Sequence, residues 1–142
     1  MIRLAAPDDA ERVRELLREY VTELGVDLSF QDFETEVSDP LAFYDVVLLA
    51  PHGCVAVRRI DDSTCEMKRL YVQDAARRGG LGGALAETAI AHARARGYDR
   101  MRLDTLPTMQ AARALYERLG FRDIAPYREN PIDGTAYLEL EL

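Results

Sequence analysis

Between residues 77 and 85 the chain reads Arg77-Arg78-Gly79-Gly80-Leu81-Gly82-Gly83-Ala84-Leu85, two cations followed by four glycines. The stretch follows a strand-like run ending at Val72 and opens a helix-like one. N–H groups at a helix start lack intrahelical partners and carry the positive end of the helix dipole, so they bind anionic oxygens wherever side chains stay clear. Glycines leave that approach open. A glycine cluster before a helix can also be no more than a tight turn; the neighbouring arginines favour anion binding. A dinucleotide fold needs an early strand followed by GxGxxG, and a Walker loop needs Gly-Lys-Ser/Thr. Neither pattern occurs.

Other groups able to move protons are scattered. Glu66 lies in a strand-like stretch, where it serves either as a base or as a solvated residue paired with a neighbouring cation. Tyr116, read from helical pattern alone, is a core aromatic. His92 falls on the apolar stripe Leu81, Leu85, Thr88, Ala89, and His52 falls in a turn. No serine or cysteine nucleophile motif accompanies them, which leaves a hydrolase triad unsupported. Cys54 and Cys65 lack metal-ligand or redox spacing and read as reduced, buried thiols, so no metal is expected.

These groups need positioning elements. Pro7-Asp8-Asp9-Ala10-Glu11 predicts a capped helix start at Asp8. Val13, Leu16, Leu17, Tyr20, Val21 and Leu24 then mark one apolar face, closed by Gly25. A weaker helix is expected from Phe30 to Val37. Three strands follow at 45–50, 54–60 and 64–72, separated by turn-forming residues, as an antiparallel meander. Next come a helix over about 80–96, a strand at 100–105, a helix over about 109–119, and strands near Ile124 and at 136–142. The order βααβββαβαββ predicts a mixed α/β fold, a sheet with helices on its faces, in one domain over residues 1–142.

Arg77-x-x-Gly80-x-Gly82 matches the Q/R-x-x-G-x-G/A acyl-CoA signature, and the chain thereby resembles the GNAT superfamily of acetyl-CoA-dependent N-acetyltransferases. Cys65-Glu66-Met67-Lys68-Arg69-Leu70-Tyr71-Val72 resembles that family's fourth strand. Ala112-x-x-Leu115-Tyr116-x-x-Leu119-Gly120-Phe121 resembles its later helix and turn. The likeness is densest from Thr64 to Phe121, and element order extends it to almost the whole chain.

The resemblance implies a central, mostly antiparallel sheet splayed between its fourth and fifth strands, with acetyl-CoA in the splay. The N–H groups from Arg78 through Gly79, Gly80, Leu81, Gly82 and Gly83 would then cradle the pyrophosphate, with charge from Arg77 and Arg78. Leu70, Tyr71 and Val72 would run beside the pantetheine arm, where a bulge frees backbone groups for a ligand. Ala112 and Met109 join this set. Met109 stands where many members carry Asn, and either packs against the pantetheine arm or fills the core. Gln110, one helical step on, would point about 100° away. Tyr116 matches the tyrosine that protonates the departing thiolate, and Glu66 the carboxylate that takes the acceptor's proton, directly or through water. The implied reaction is acetyl transfer to a primary amine by direct attack through a tetrahedral intermediate. Alternatives are another acyl donor, a hydroxyl acceptor, or a CoA-binding sensor without turnover.

Bulk properties bound the partners. With 142 residues, 48% hydrophobic and 30% charged, the chain has ordinary globular composition. Its net charge of -7 argues against nucleic acid held through phosphates. No stretch approaches a membrane span, and the charged N-terminal region is unlike a secretory leader, so a cytoplasmic location is expected. The acceptor is expected to be a small amine or a protein amine. Tyr127 and Asn130, in the longest loop, and Tyr20 and Phe30, in the region of the first helix and after it, are candidate acceptor contacts, although turn formers alone also explain that loop. Glu11, Glu15, Glu19 and Glu23 read as a solvated face paired with interspersed arginines. Exposed sheet edges leave a homodimer open.

Overall fold

The computed structural model describes residues 1–25, 27 and 32–142. Its strands are β1 (Arg3–Leu4), β2 (Val46–Ala50), β3 (Gly53–Arg59), β4 (Thr64–Val72), β5 (Arg100–Thr105), β6 (Arg122–Asp123) and β7 (Ala136–Glu141). Its α-helices are α1 (Ala10–Leu24), α2 (Phe33–Ser38), α3 (Pro40–Phe43), α4 (Leu81–Ala95) and α5 (Gln110–Arg118). The strands form one sheet in the order β1-β2-β3-β4-β5-β7-β6. Every pairing is antiparallel except β4 with β5. That is the mixed sheet with flanking helices that the element order predicts, and mostly antiparallel as the family resemblance implies.

Strand alternation divides the core between two faces. On one, Leu48, Val55, Val57, Met67 and Leu103 pack with Leu85, Ala89 and Ile90 of α4. The alanines of α4 let it lie close to the sheet. On the other, Val47, Leu49, Cys54 and Ala56 meet Val13, Leu16 and Leu17 of α1. Each of those three helix side chains is at most 2% exposed, and burying such a residue is worth roughly 1.5–3 kcal/mol. Gly25 ends α1 in a left-handed conformation at φ 68°, its N–H bonded to Val21 O at 3.2 Å.

The helix start differs from expectation. Pro7–Asp9 forms a 3-10 turn and α1 begins at Ala10. Asp9, rather than Asp8, does the anchoring: its carboxylate accepts the Ala6 N–H at 2.7 Å and pairs with Arg3 at 2.6 and 2.9 Å. That long-range pair draws residues 7–9 into the tighter turn. The expected helix from Phe30 to Val37 begins at Phe33, and Phe30 lies outside the described residues.

α2 is fastened by a buried ion pair. Glu36, 0% exposed, receives two 2.8 Å hydrogen bonds from Nε and an Nη of Arg69 in β4. Two-pronged geometry of this kind is the strongest form of the interaction. Losing one member of such a pair strands the other charge. Glu36→Ala is expected to lose about 3–5 kcal/mol in urea denaturation. Glu36→Leu combined with Arg69→Met is expected to be more stable than either single change; equal or additive losses would contradict this account.

Candidate functional site

β4 contains one residue more than its partner can match. Cys54 of β3 pairs with Tyr71 and Ala56 pairs with Lys68, so two steps on β3 face three on β4. The extra residue is Arg69, at φ 60°. This bulge changes which face each side chain occupies. Lys68 and Tyr71, three positions apart, both stand opposite residues facing α1, while Leu70 and Val72 pack with the α4 core. β4 and β5 part company before the bulge is reached. Their pairing covers only Thr64 to Glu66 against Arg100 to Arg102, although β4 continues to Val72 and β5 to Thr105.

The parting opens a groove of about 910 Å³. Leu70, Tyr71 and Val72 form one wall, and Met109, Ala112 and Leu115 the other. Its end is the start of α4, lined by Arg77, Arg78, Gly80, Leu81, Gly82 and Gly83; Gly79 is not among the lining residues. Gly80 caps the helix at φ 84° without a side-chain bond, and the Ala84 N–H turns back to its carbonyl at 3.1 Å. The N–H groups of Leu81, Gly82 and Gly83 precede the first intrahelical bond and are free to meet a ligand.

The protein itself gives Gly82 and Gly83 no steric reason to be glycine. A Cβ on Gly82 would lie 3.8 Å from Val72 Cγ2 and one on Gly83 3.6 Å from Leu115 Cδ1, both ordinary contacts. Glycine within a helix is disfavoured by roughly 0.5–1 kcal/mol relative to alanine. Backbone kept bare at the end of a groove is what a phosphate-bearing ligand requires, so these residues fit a CoA-type group. Arg77 is held ready by Val72 O at 2.9 Å and Glu23 at 2.5 Å.

The sequence model of the Acetyltransferase (GNAT) family matches residues 10–121. An uncharacterized N-acetyltransferase of Schizosaccharomyces pombe is 36% identical over 151 residues, 96% of this chain and 90% of that protein. The chain belongs to the GNAT acetyltransferase family. Solved structures share its fold. A GNAT-family acetyltransferase from Staphylococcus aureus matches with a TM-score of 0.81 at 17% identity, over 99% of this chain and 98% of that one. One from Elizabethkingia anophelis, solved with acetyl-CoA bound, matches with 0.68 at 20% identity, over 100% and 97%.

On this GNAT sheet, the face bearing α1 turns polar around Glu66, ahead of the bulge. Glu66 is 0% exposed. Its Oε2 accepts from the Tyr127 hydroxyl at 2.6 Å and from Arg128, and its Oε1 lies 3.9 Å from Lys68 Nζ. Burial, then the Glu66 charge, raises the Tyr127 pKa, which keeps that phenol a donor. Arg102 pairs with Glu139 at 2.8 Å, its guanidinium 5.4 Å from the Tyr127 ring. Asn130 turns to Asp104 at 3.3 Å and to the Ile132 N–H at 2.9 Å. Tyr20 lines the groove, edge-on to Tyr71 at 6.0 Å. Tyr116 is 5% exposed against Phe121, and burial raises its pKa; Tyr20 and Asp104 are its electrostatic neighbours, though it does not line the groove.

Several residues take a different place from the one expected, and others emerge only here. Met109 is the non-helical cap of α5, with ψ 57°, so the helical-step argument about Gln110 fails and both residues line the groove. Arg118 adds a cation there; the stripe Ala111, Leu115, Arg118 would have disclosed it. Glu19 and Glu23 are not merely solvated, since they hold Gln73, Tyr71 and Arg77. Lys68 was readable as the same-face neighbour of Glu66. Arg69, Glu36 and Arg128 left no comparable signal.

Lys68 has its pKa lowered to about 8, mainly by burial, with Arg69 reinforcing and Glu66 opposing. Below that pH the folded protein carries a buried charge that the unfolded chain would solvate. From pH 8 to about 10.4 the unfolded chain holds a proton the folded one has released, so stability rises with pH. Lys68→Met leaves Glu66 with Arg128 and Tyr127, and is expected to be more stable than wild type at pH 7. The advantage should narrow from pH 8 to 10 in urea titrations; a constant gap would count against it.

Proposed function

We propose that this GNAT protein transfers an acetyl group from acetyl-CoA to the primary amine of an acceptor. The observation carrying this reading is the groove between the end of β4 and α5 that ends on the glycine-cleared start of α4. A protein of the same fold holds acetyl-CoA, which supports the choice of donor. Bound there, acetyl-CoA supplies a thioester carbonyl: the acceptor nitrogen bonds to its carbon, the carbon–sulfur bond breaks, and CoA leaves with the bonding electrons.

The chain's own residues account for the remaining requirements. The N–H groups of Leu81 to Gly83 and the charges of Arg77 and Arg78 hold the pyrophosphate. The backbone of Leu70 to Val72 lies along the pantetheine arm. An ammonium must lose a proton before it can attack, and the Glu66 carboxylate receives it, directly or through water. The Tyr116 phenol, kept protonated by burial, returns a proton to the sulfur. General-base help of this kind contributes about 10²–10⁴-fold.

The test is free-thiol release from acetyl-CoA across an amine panel, with thermal shift by acetyl-CoA in the same samples. Glu66→Gln is expected to lower kcat by about 10²-fold or more and to alter the pH–rate profile, with KM for acetyl-CoA little changed. Tyr116→Phe is expected to lower kcat more than acetyl-CoA affinity. An unchanged pH–rate profile removes Glu66 from the role, and wild-type turnover removes Tyr116. Stabilisation by acetyl-CoA with no turnover of any amine would favour a sensor.

A further inference from the structure

We infer that the acceptor is a small amino acid, whose ammonium is received by Glu66 and whose carboxylate is received by Arg128. This rests on the acetyl-transfer reading and adds the acceptor's chemical class.

Glu66 is fully enclosed, and Arg128 and Tyr127 together occupy its Oε2. An amine reaches this carboxylate only when Arg128 swings off it. Arg128 comes from the loop between β6 and β7, so it can move without disturbing the sheet. A guanidinium withdrawn from a partly buried ion pair loses its counterion, and that loss is costly unless another anion takes its place. A simple alkylamine brings no anion. A polyamine brings further positive charge toward Arg128 and Lys68, which flank Glu66 from its two oxygens. An amino acid brings both signs: its carboxylate replaces Glu66 at Arg128 while its ammonium replaces Arg128 at Glu66.

Two unfilled positions point to the same ligand. Glu66 Oε1 is buried with no hydrogen-bond donor, and Arg128 Nε is buried with no acceptor. Buried polar atoms in native proteins are nearly always bonded, so one acceptor and one donor left unbonded on the two members of one ion pair call for explanation. An ammonium fills the first and a carboxylate fills the second. Because the ligand's two charges take over the two sides of one ion pair, they must lie close together, on the same or neighbouring carbons. That geometry selects α- and β-amino acids over lysine-like amines remote from any carboxylate.

The experiment measures kcat/KM for the proteinogenic amino acids and β-alanine, each against its carboxamide and the amine lacking the carboxyl, with acetyl-CoA thermal shift alongside. A preferred amino acid is expected to exceed both counterparts by about 10²-fold or more, since a site built for a charged hydrogen bond rejects analogues lacking it. Arg128→Gln should remove that preference chiefly through acceptor KM, and Arg128→Lys should restore part of it. Amides or amines used as well as the acids would overturn the inference while leaving acetyl transfer intact. So would stabilisation by acetyl-CoA with no amino acid acetylated. A preference that survives Arg128→Gln would overturn the assignment to Arg128. Neither stabilisation nor thiol release with any amine would be a failure of the transfer reading itself.

Discussion

The site depends on one backbone irregularity, the left-handed Arg69 in β4. A non-glycine residue in that region costs about 1–2 kcal/mol and persists only where its surroundings over-determine it. Here the determinant is Glu36, which grips the guanidinium from a six-residue helix too short to be stable alone. The pair works in both directions. It holds the bulge in β4, and it holds α2 against the sheet.

From the bulge follow the other features. A regular strand would place Lys68 and Tyr71 on opposite faces. The pairing with β5 stops at Glu66, and the extra residue that follows brings Lys68 and Tyr71 to one side of the sheet. Backbone of Leu70 to Val72 is thereby released from the β4–β5 ladder. After the 3-10 turn Asp74–Ala76, the chain enters α4 at Leu81, and the N-terminal amides of that helix lie at the end of the groove. A ligand with an anionic end and an extended arm has both ends provided for by consecutive segments of chain.

The second consequence is electrostatic. The chain is acidic overall, yet Lys68, Arg69, Arg102 and Arg128 gather on one quarter of the sheet, each near a carboxylate. Such clustering is tolerated because the charges are arranged as pairs. The Glu66 pair differs from the Arg69 pair. Glu36 and Arg69 satisfy one another fully with two prongs, a structural closure; Glu66 and Arg128 meet on a single oxygen and leave an acceptor and a donor unused. The first is built to stay closed, the second to exchange partners.

Local patterns in the sequence determined the elements and the glycine-rich helix start at the end of the groove. Strand-like runs bounded by turn formers located β2, β3 and β4 to within a residue or so, the three- and four-residue apolar steps located α1, and the glycine run marked the start of α4. Backbone amides at a helix start need nothing distant to act. Glu66 and Tyr127 were individually legible as polar residues in suggestive places. That they bond to each other across 61 positions was decided only in three dimensions. The same holds for Glu36 with Arg69, 33 positions apart, and Arg128 with Glu66, 62 apart. Periodicity reports which face of an element is buried; it carries no term for which buried charge meets which, because that depends on how the chain packs between them. The tertiary structure alone decided the bulge, since its position is set by register against β3 and by the counterion that α2 supplies.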